Sequence, residues 1–341
     1  MNGFNEILTQ PAAEKLGWIL VHFVWQAGLV GLVTYALLRL LKRSSNARYL
    51  VGCLGLLVMA AAPVVTAVMF DVPGPVEIEP VPLGADMAQP SGPAVAYEMP
   101  VEVPAGPADA PKIETAAVED IEQPLSQRIT AALEPALAWI VGGWLLGVIC
   151  LSFWHLGGWA KAQSLKRRFV TPVSQRTRER LAVFARRLRI KRSVEIFQSA
   201  IVDSPAMIGY FKPVILLPGC ALTGLTAGQL EAVIAHELAH IKRHDYLVNM
   251  FQTVMEILGF YHPAVWWLST RIRAERENCC DDIAVHVTKN SLAYAKALTE
   301  LETARAGLPA PALAASGGSL LNRIRRILGE DTDKGGGWLS A

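Results

Sequence analysis

Charged residues are scarce in this chain of 341 residues, at 18%, whereas hydrophobic residues make up 52%. This composition is too apolar for an ordinary soluble protein and favours membrane-spanning segments. Cysteine is also scarce, and Cys53 and Cys150 fall within long apolar runs. No cysteine spacing resembles the disulfide framework of a secreted domain, so we expect a reduced compartment for Cys220, Cys279 and Cys280.

Three apolar runs are long enough to cross a bilayer. Residues 17–38 contain no Asp, Glu, Lys or Arg, and a helix of this length rises about 33 Å. The run is long for a signal peptide, and no basic segment precedes it, so we predict a membrane span. A second span is predicted over 49–70, completing a hairpin within residues 1–70. A third is predicted within a helix over 129–157.

Basic residues predict how these spans are oriented. Four basic residues lie between the first two spans, and four more follow the third: Arg39, Lys42, Arg43, Arg48, Lys161, Lys166, Arg167 and Arg168. Because cytoplasmic loops carry the excess of Lys and Arg, both groups are expected in the cytoplasm. The N-terminus and residues 71–128 then lie on the outer side of the membrane, and residues 158–330 form a cytoplasmic domain.

The segment over residues 71–128 is almost devoid of basic side chains. Between residues 71 and 127 there are eleven acidic residues and eleven prolines, but a single lysine, Lys112. Proline at this density prevents a regular helix or a central strand, so we predict an extended, disordered, extracytoplasmic loop. Its composition favours a solvated tether over a sensing element.

The predicted domain begins with a basic helix and short strands. The arginines of residues 174–190 would suit nucleic acid, but a solvated face near an anionic inner leaflet is the simpler interpretation, and we predict no direct nucleic-acid contact. The run IGYFKPVILLP, residues 208–218, reads as a strand beside the following helix. An open edge there would accept a substrate as an added strand, although an ordinary sheet strand fits equally well.

The segment EAVIAHELAHIKRHDY, residues 231–246, carries the pattern that decides the chemistry. Its apolar residues recur at helical spacing, so His236 and His240 lie one turn apart on one face, about 6 Å between Cβ atoms. Two imidazoles at this separation can share one tetrahedral zinc ion, and Glu237 beside them can take a proton from water. Two exposed histidines on a solvated helix are the alternative, which the apolar context VIAHELAH disfavours.

A third ligand has to come from elsewhere. His244 lies two helical turns from His236, about 12 Å along the axis, and cannot join it on one ion. Position 246 is Tyr rather than the His of the metzincin pattern, which excludes that class. Glu277 and Asp281 lie four residues apart downstream, so a second helix can present Glu277 to the metal while Asp281 accepts the other N–H of a ligand histidine.

Cys279 and Cys280 form a rival ligand set. Thiolates bind zinc tightly, but a site with two cysteines and two histidines would be closed and structural. Adjacent residues on a helix diverge by about 100°, so the two thiols seldom share one ion. We therefore interpret both cysteines as small residues of the core.

The motif HELAHIKRHDYLVN, followed by RAERENCCDDIAV, resembles the BlaR/MecR-type membrane metallopeptidases, the antirepressor and sensor-transducer peptidases of bacteria. SPAMIGYFKPVILLP, HPAVWWLSTRIR and HFVWQAG are similar to the same family. The resemblance covers most of residues 16–330 apart from the acidic loop. The Glu-x-x-x-Asp arrangement is also similar to CaaX prenyl proteases and HtpX-type membrane gluzincins.

The resemblance implies a mainly α protein, with integral membrane helices and a cytoplasmic α+β gluzincin domain. It implies Zn²⁺ held by His236, His240 and Glu277, with Glu237 as general base and Asp281 as orienting residue. The implied substrate is a cytoplasmic repressor or the protein's own chain. Zinc is preferred over cobalt or manganese by ligand type.

The chain departs from the penicillin-sensing members in one respect. Those members carry a fourth span and a penicillin-binding domain after the peptidase, whereas this sequence ends at GGGWLSA. No such sensor is visible, and residues 331–341 read as a flexible tail or the start of a further span.

Other assignments stay open at this stage. Tyr261, His262 and His286 are candidate donors to the oxyanion of the transition state. A constitutive quality-control protease of the HtpX type and a metal-stabilised signalling scaffold without catalysis are the alternative functions. The expected partners are the lipid bilayer and a protein substrate. A homo-oligomer with a second copy of the chain is left open.

Overall fold

The computed structural model describes residues 11–41, 44–69, 125–166, 168–306 and 318–329. Most of the predicted acidic loop and all of the predicted tail over 331–341 lie outside these ranges. The last four residues assigned to the loop are helical instead, because the third long helix begins at Leu125 rather than at residue 129.

Three helices of the structure are long and apolar enough to cross a membrane. They are α1 (Pro11–Leu40), α2 (Ser45–Met69) and α3 (Leu125–Leu165). Helix α3 has 41 residues and is therefore about 60 Å long, roughly twice the thickness of a bilayer core. It continues well past the predicted end of the third span and reaches the domain that follows.

A small mixed sheet opens that domain. Its strands are β1 (Val170–Pro172), β2 (Glu195–Ser199), β3 (Ala206–Ile208) and β4 (Val214–Pro218), in the spatial order β1-β2-β4-β3. Strand β4 pairs in parallel with β2 and antiparallel with β3, and all five of its residues are buried. Strand β3 is consequently an edge of the sheet.

The prediction of a single strand over residues 208–218 is wrong, because this segment contains the end of β3 and the whole of β4. Ile208 ends β3, and the chain turns at Gly209, whose φ of 95° suits glycine, before β4 begins at Val214. The VILLP run therefore has neighbours on both sides, and the open edge belongs to β3.

Helices make up the rest of the described chain. They are α4 (Gln175–Arg187), α5 (Gly219–Gly224), α6 (Ala227–Arg243), α7 (Asp245–Leu258), α8 (Pro263–Thr288), α9 (Ser291–Ala306) and α10 (Gly318–Leu328). The apolar face of α6, including Ile234 and Leu238, is buried in one core with Ile215 and Leu217 of β4. This packing fixes α6 against the sheet and turns its histidine face towards α8.

Helix α8 joins the domain to the membrane helices. Leu268 and Ile272 in its first half form a second core with Phe23 of α1 and with Leu56 and Met59 of α2. The second half of α8 packs in the domain, where Ala284 lies in the same core as α6. One continuous helix therefore contacts both the apolar hairpin and the candidate metal centre.

Candidate metal centre

Helix α6 presents its two histidines to one point. The helix begins with a capping box, in which the backbone N–H of Thr226 donates to Oε1 of Gln229 at 2.6 Å. One turn separates His236 from His240, and their Nε2 atoms lie 3.2 Å apart. Both imidazoles are largely buried, since the His236 side chain is 10% exposed and that of His240 15%.

Glu277 brings a third donor from α8. Its Oε2 atom lies 3.5 Å from Nε2 of His236, and its Oε1 atom lies 3.9 Å from Nε2 of His240. Ligand atoms at about 2.0 Å from one tetrahedral ion are about 3.3 Å from each other. The two nitrogens and the carboxylate therefore fit the ligand set of a single zinc ion.

The other ring nitrogen of His236 is held by two buried groups. Nδ1 lies 2.8 Å from the hydroxyl of Tyr294 and 3.3 Å from Oδ1 of Asp281. The Tyr294 hydroxyl donates to Asp281 at 2.6 Å, so its oxygen accepts from Nδ1–H. This arrangement leaves Nε2 as the ring nitrogen that faces Glu277.

Asp281 is itself held by a cation. The Arg323 guanidinium on α10 donates to both of its carboxylate oxygens, at 2.7 and 3.0 Å. Two parallel bonds of this kind fix the plane of the carboxylate. Arg323 lies 42 residues beyond Asp281 in the chain. Helix α10 thereby contributes to the orientation of His236.

His240 has a separate orienting residue. Its Nδ1 atom lies 2.8 Å from Oδ2 of Asp245, the first residue of α7, and Asp245 is 3% exposed. His244 ends α6 in the left-handed conformation, with φ of 59°, and this break turns Asp245 back towards His240. Each histidine therefore has a buried carboxylate behind it, as ligating imidazoles generally do.

The charges around the site shift two pKa values in opposite directions. Burial alone would lower the pKa of His236, but hydrogen bonds to Asp281 and Glu277 outweigh it and raise the pKa from 6.5 to about 10. Burial alone would raise the pKa of Glu277, but the hydrogen bond and charge of His236 lower it to about 2. Without a metal the two side chains form an ion pair, and a divalent cation would replace the proton.

Glu237 lines the same cavity as the three candidate ligands. The cavity has a volume of about 440 Å³. The Glu237 side chain makes no hydrogen bond within the described part of the chain, and the residue is 7% exposed. Residues Ser204 to Met207, at and before edge strand β3, form another wall. The carboxylate is therefore free to accept a proton from water or from a substrate group in the cavity.

The three side chains proposed from the sequence as oxyanion donors lie outside the candidate metal centre, which corrects that prediction. The Tyr261 hydroxyl donates to the backbone carbonyl of Leu20, at 3.2 Å, and Nε2 of His262 lies 2.9 Å from the carbonyl of Val24, so both side chains connect the turn between α7 and α8 to α1. His286 is exposed near the end of α8. None of the three lines the cavity, because residue type alone does not give the direction of a side chain.

The cysteines do not join the candidate ligands. Cys279 is buried in the core shared with the hairpin. Sγ of Cys280 lies 3.3 Å from Nδ1 of His240 and donates to Asp245, on the side of the ring away from Glu277. Burial, followed by the charge of Asp245, strongly raises the pKa of Cys280, so its thiol is protonated in the metal-free protein.

Sequence reasoning missed three residues of this site: Asp245, Tyr294 and Arg323. Asp245 directly follows His244 in the quoted HDY motif, so a helix end at His244 would have pointed to it. Tyr294 and Arg323 come from α9 and α10, and no spacing rule relates those helices to α6.

Comparisons with known proteins identify a family for this chain. The family described as BlaR1 peptidase M56 matches residues 18–327. The chain is 26% identical over 164 residues to the regulatory protein BlaR1 of Bacillus licheniformis, covering 48% of this chain and 27% of that protein. It is 26% identical over 139 residues to the methicillin resistance mecR1 protein of Staphylococcus aureus, covering 40% and 23%.

A second BlaR1 regulatory protein, from Staphylococcus aureus, is 24% identical over 159 residues, covering 46% of this chain and 27% of that protein. The matched segments span about a quarter of the length of these relatives. The family match extends from the first apolar helix to α10 and includes every residue of the candidate centre. The chain therefore belongs to the BlaR1-type M56 peptidases, a family of membrane signal-transducing metallopeptidases.

Proposed function

We propose that the chain is a membrane-anchored zinc endopeptidase that cleaves a cytoplasmic protein. The observation that carries the proposal is the placement of Glu237 in one cavity with His236, His240 and Glu277. A metal-stabilised scaffold would need the three ligands but would not need a carboxylate facing the same cavity. The proposed ligands are those three residues, with Asp281 and Asp245 orienting the two imidazoles.

A zinc ion bound there would polarise a peptide carbonyl and lower the pKa of water. Glu237 takes the proton from the attacking water and then passes it to the leaving amine, so one carboxylate serves as base and then as acid. Asp281 and Asp245 accept from the Nδ1–H groups of the two imidazoles, directly or through Tyr294, and so leave Nε2 as the atom that would bind the ion.

Edge strand β3 supports a polypeptide as the substrate. Its backbone is paired with β4 on one side only, and residues at and just before it form a wall of the cavity. An extended peptide can pair with such an edge through main-chain hydrogen bonds, which fixes its register over the catalytic residues. We infer that substrates bind as an added strand along β3.

The family resemblance gives the regulatory setting. It favours a transcriptional repressor, or the chain itself, as the substrate, with the domain in the cytoplasm of a bacterial cell. Basic residues in the connection between the two hairpin helices and directly after the third apolar run support this topology. The three apolar helices anchor the peptidase in the lipid bilayer.

The test uses the full chain, purified in lipid nanodiscs. Wild type and Glu237→Gln are compared for zinc content and for cleavage of an unfolded protein such as casein. We expect equal zinc content and a loss of about 100-fold or more in the cleavage rate, since a general base contributes about 10²–10⁴. Undiminished cleavage by the variant would contradict the proposal.

A further inference from the structure

The beginning of membrane helix α2 lies close to the candidate metal centre. Asp245, which accepts from His240 through Oδ2, has its second oxygen directed at this helix. The Tyr49 hydroxyl of α2 donates to Oδ1 of Asp245 at 3.5 Å, and Nε of Arg243 lies 3.6 Å from the same oxygen. Two side chains from different helices therefore hold the carboxylate that orients a metal ligand.

Arg243 is attached to α2 by two further contacts. Its guanidinium donates to Oδ1 of Asn46 at 3.2 Å, and its central carbon lies 4.4 Å from the centre of the Tyr49 ring. The Tyr49 residue is only 6% exposed, and a cation over a desolvated aromatic ring is held more strongly than one at an exposed site. The Arg243 side chain thus lies between α2 and Asp245.

Helix α2 is also fixed against α8, the helix that carries Glu277. Arg48 and Glu275 form a salt bridge at 3.0 Å, and both side chains are largely buried. Gly52 permits close approach, because a Cβ atom there would lie 2.9 Å from Ile272. A single apolar helix therefore contacts the two helices that supply all three candidate ligands.

These contacts form a continuous path. It runs from Asn46 and Tyr49 on α2, through Arg243 to Asp245, and from Asp245 to His240. The last step is the shortest, at 2.8 Å. A shift of α2 along or about its axis would displace Arg243 first, and Asp245 could then no longer hold the His240 ring in its present orientation.

We propose that Arg243 is a positioning residue that couples membrane helix α2 to the metal ligand His240 through Asp245. The inference rests on the proposed function, in which His240 binds zinc. It adds a physical route by which the state of the membrane hairpin sets the metal affinity and the activity of the peptidase. Removal of the Arg243 charge or of its attachment to Asn46 disturbs His240 without touching a ligand.

The experiment measures zinc affinity of the full chain in nanodiscs by chelator competition, together with the visible absorption spectrum of the Co²⁺-substituted protein. We expect Arg243→Gln to weaken zinc binding about 10-fold, the low end of the range for residues that orient a ligand. We also expect its Co²⁺ spectrum to change. Arg180→Gln is the matched control, because Arg180 pairs with Glu231 of the same α6 helix and lies outside the cavity.

A double-variant cycle separates coupling from general destabilisation. Asn46→Ala removes an exposed side chain of α2, and it should weaken zinc binding several-fold in the wild-type background but not in the Arg243→Gln background. Independent effects of the two variants would overturn the inference. Asn46→Ala alone carries the test if Arg243→Gln fails to fold.

The outcomes also separate the two proposals. Wild-type protein that binds zinc, together with an Arg243→Gln variant of unchanged affinity and unchanged Co²⁺ spectrum, overturns the coupling and leaves the proposed function intact. Wild-type protein that binds no zinc overturns the proposed function and the coupling with it. A loss of zinc affinity in Arg243→Gln and, to a smaller extent, in Asn46→Ala, with none in Arg180→Gln, supports the coupling.

Discussion

The hydroxyl oxygen of Tyr294 lies 2.8 Å from Nδ1 of His236, and the same hydroxyl donates its proton to Asp281. The phenol therefore links a buried carboxylate to a candidate ligand and fixes which imidazole nitrogen carries hydrogen. Burial, followed by the charge of Asp281, raises the pKa of Tyr294 well above its usual 10.0. The hydroxyl remains a neutral donor over the working range of the protein.

Replacement of this hydroxyl gives the first prediction. Tyr294→Phe keeps the ring but removes the nearer of the two acceptors for Nδ1–H, and we expect zinc affinity to fall by about 10-fold. Chelator competition measures the effect. Tyr246→Phe is the control, since Tyr246 lines the same cavity but accepts from Trp159 instead; equal losses in the two variants would contradict the assignment.

The second prediction concerns the carboxylate ligand. Glu277→Gln removes the charge and one donor oxygen, so the loss in zinc affinity should exceed the about 10–100-fold expected for an orienting residue. Metal content after dialysis and chelator competition both report it. Glu302→Gln alters another carboxylate of the cavity, one paired with Arg305, and should retain zinc like the wild type. Retention of zinc by Glu277→Gln would remove Glu277 from the ligand set.

Zinc binding should be strongly pH-dependent, which is the third prediction. The pKa of His236 in the metal-free protein is raised from 6.5 to about 10, so zinc must displace a proton throughout this interval. Affinity should rise about 10-fold per pH unit between pH 7 and 9, with nearly one proton released from His236. Calorimetry in buffers of different ionisation enthalpy counts that proton.

The raised pKa of His236 also determines how the stability of the metal-free protein changes with pH. Because the folded-state pKa of His236 lies above its ordinary value, the ion pair with Asp281 and Glu277 stabilises fully below pH 6.5 and is lost as the pH rises towards 10. The metal-free protein should therefore lose stability across this window, and the zinc-loaded protein should not. Parallel thermal-unfolding curves at several pH values check the difference, and identical pH profiles would argue against the ion pair.

Docking of α3 gives a fourth prediction. A Cβ atom at Gly147 would overlap the ring of Phe260, whereas one at Gly143 in the same helix would meet nothing within 4 Å. Gly147→Ala should destabilise the protein by about 1–3 kcal/mol, as overpacking typically does, and Gly143→Ala should not. Thermal unfolding in nanodiscs compares them; equal stability of the two variants would mean that α3 does not pack at this point.

A fifth prediction follows from the edge strand. If substrates pair with β3, only alternate N–H groups of the peptide point towards that strand. N-methylation scanned along a cleaved peptide should then slow cleavage at every second position near the scissile bond. Uniform sensitivity, or none, would contradict strand addition.

Helical spacing was sufficient to group the candidate ligands. The positions of His236 and His240 follow from one turn of α6, and the pairing of Glu277 with Asp281 follows from one turn of α8, so the structure brings together a set that the sequence already suggested. The three membrane spans could be predicted equally directly from the apolar runs, since each of α1, α2 and α3 meets the length that a bilayer requires.

Features that depend on packing between distant elements could not be predicted from helical spacing or from apolar runs. Tyr294 and Arg323 reach the site because α9 packs against α6 and α10 packs against α9, and nothing in their local sequence encodes that approach. The turn between β3 and β4 was missed although Gly209 and Pro213 mark it, because the apolar residues on both sides read as one strand.

The two imidazoles and the carboxylate come from helices that are separated by the whole of α7. A chain that has left the ribosome only as far as Arg243 holds both histidines but no carboxylate partner and no helix α8 to enclose the cavity. The hydrolytic activity proposed for this protein therefore cannot arise until synthesis has passed Glu277 and the late helices have docked. The order of translation would keep a newly made copy inert while its own backbone is still unprotected.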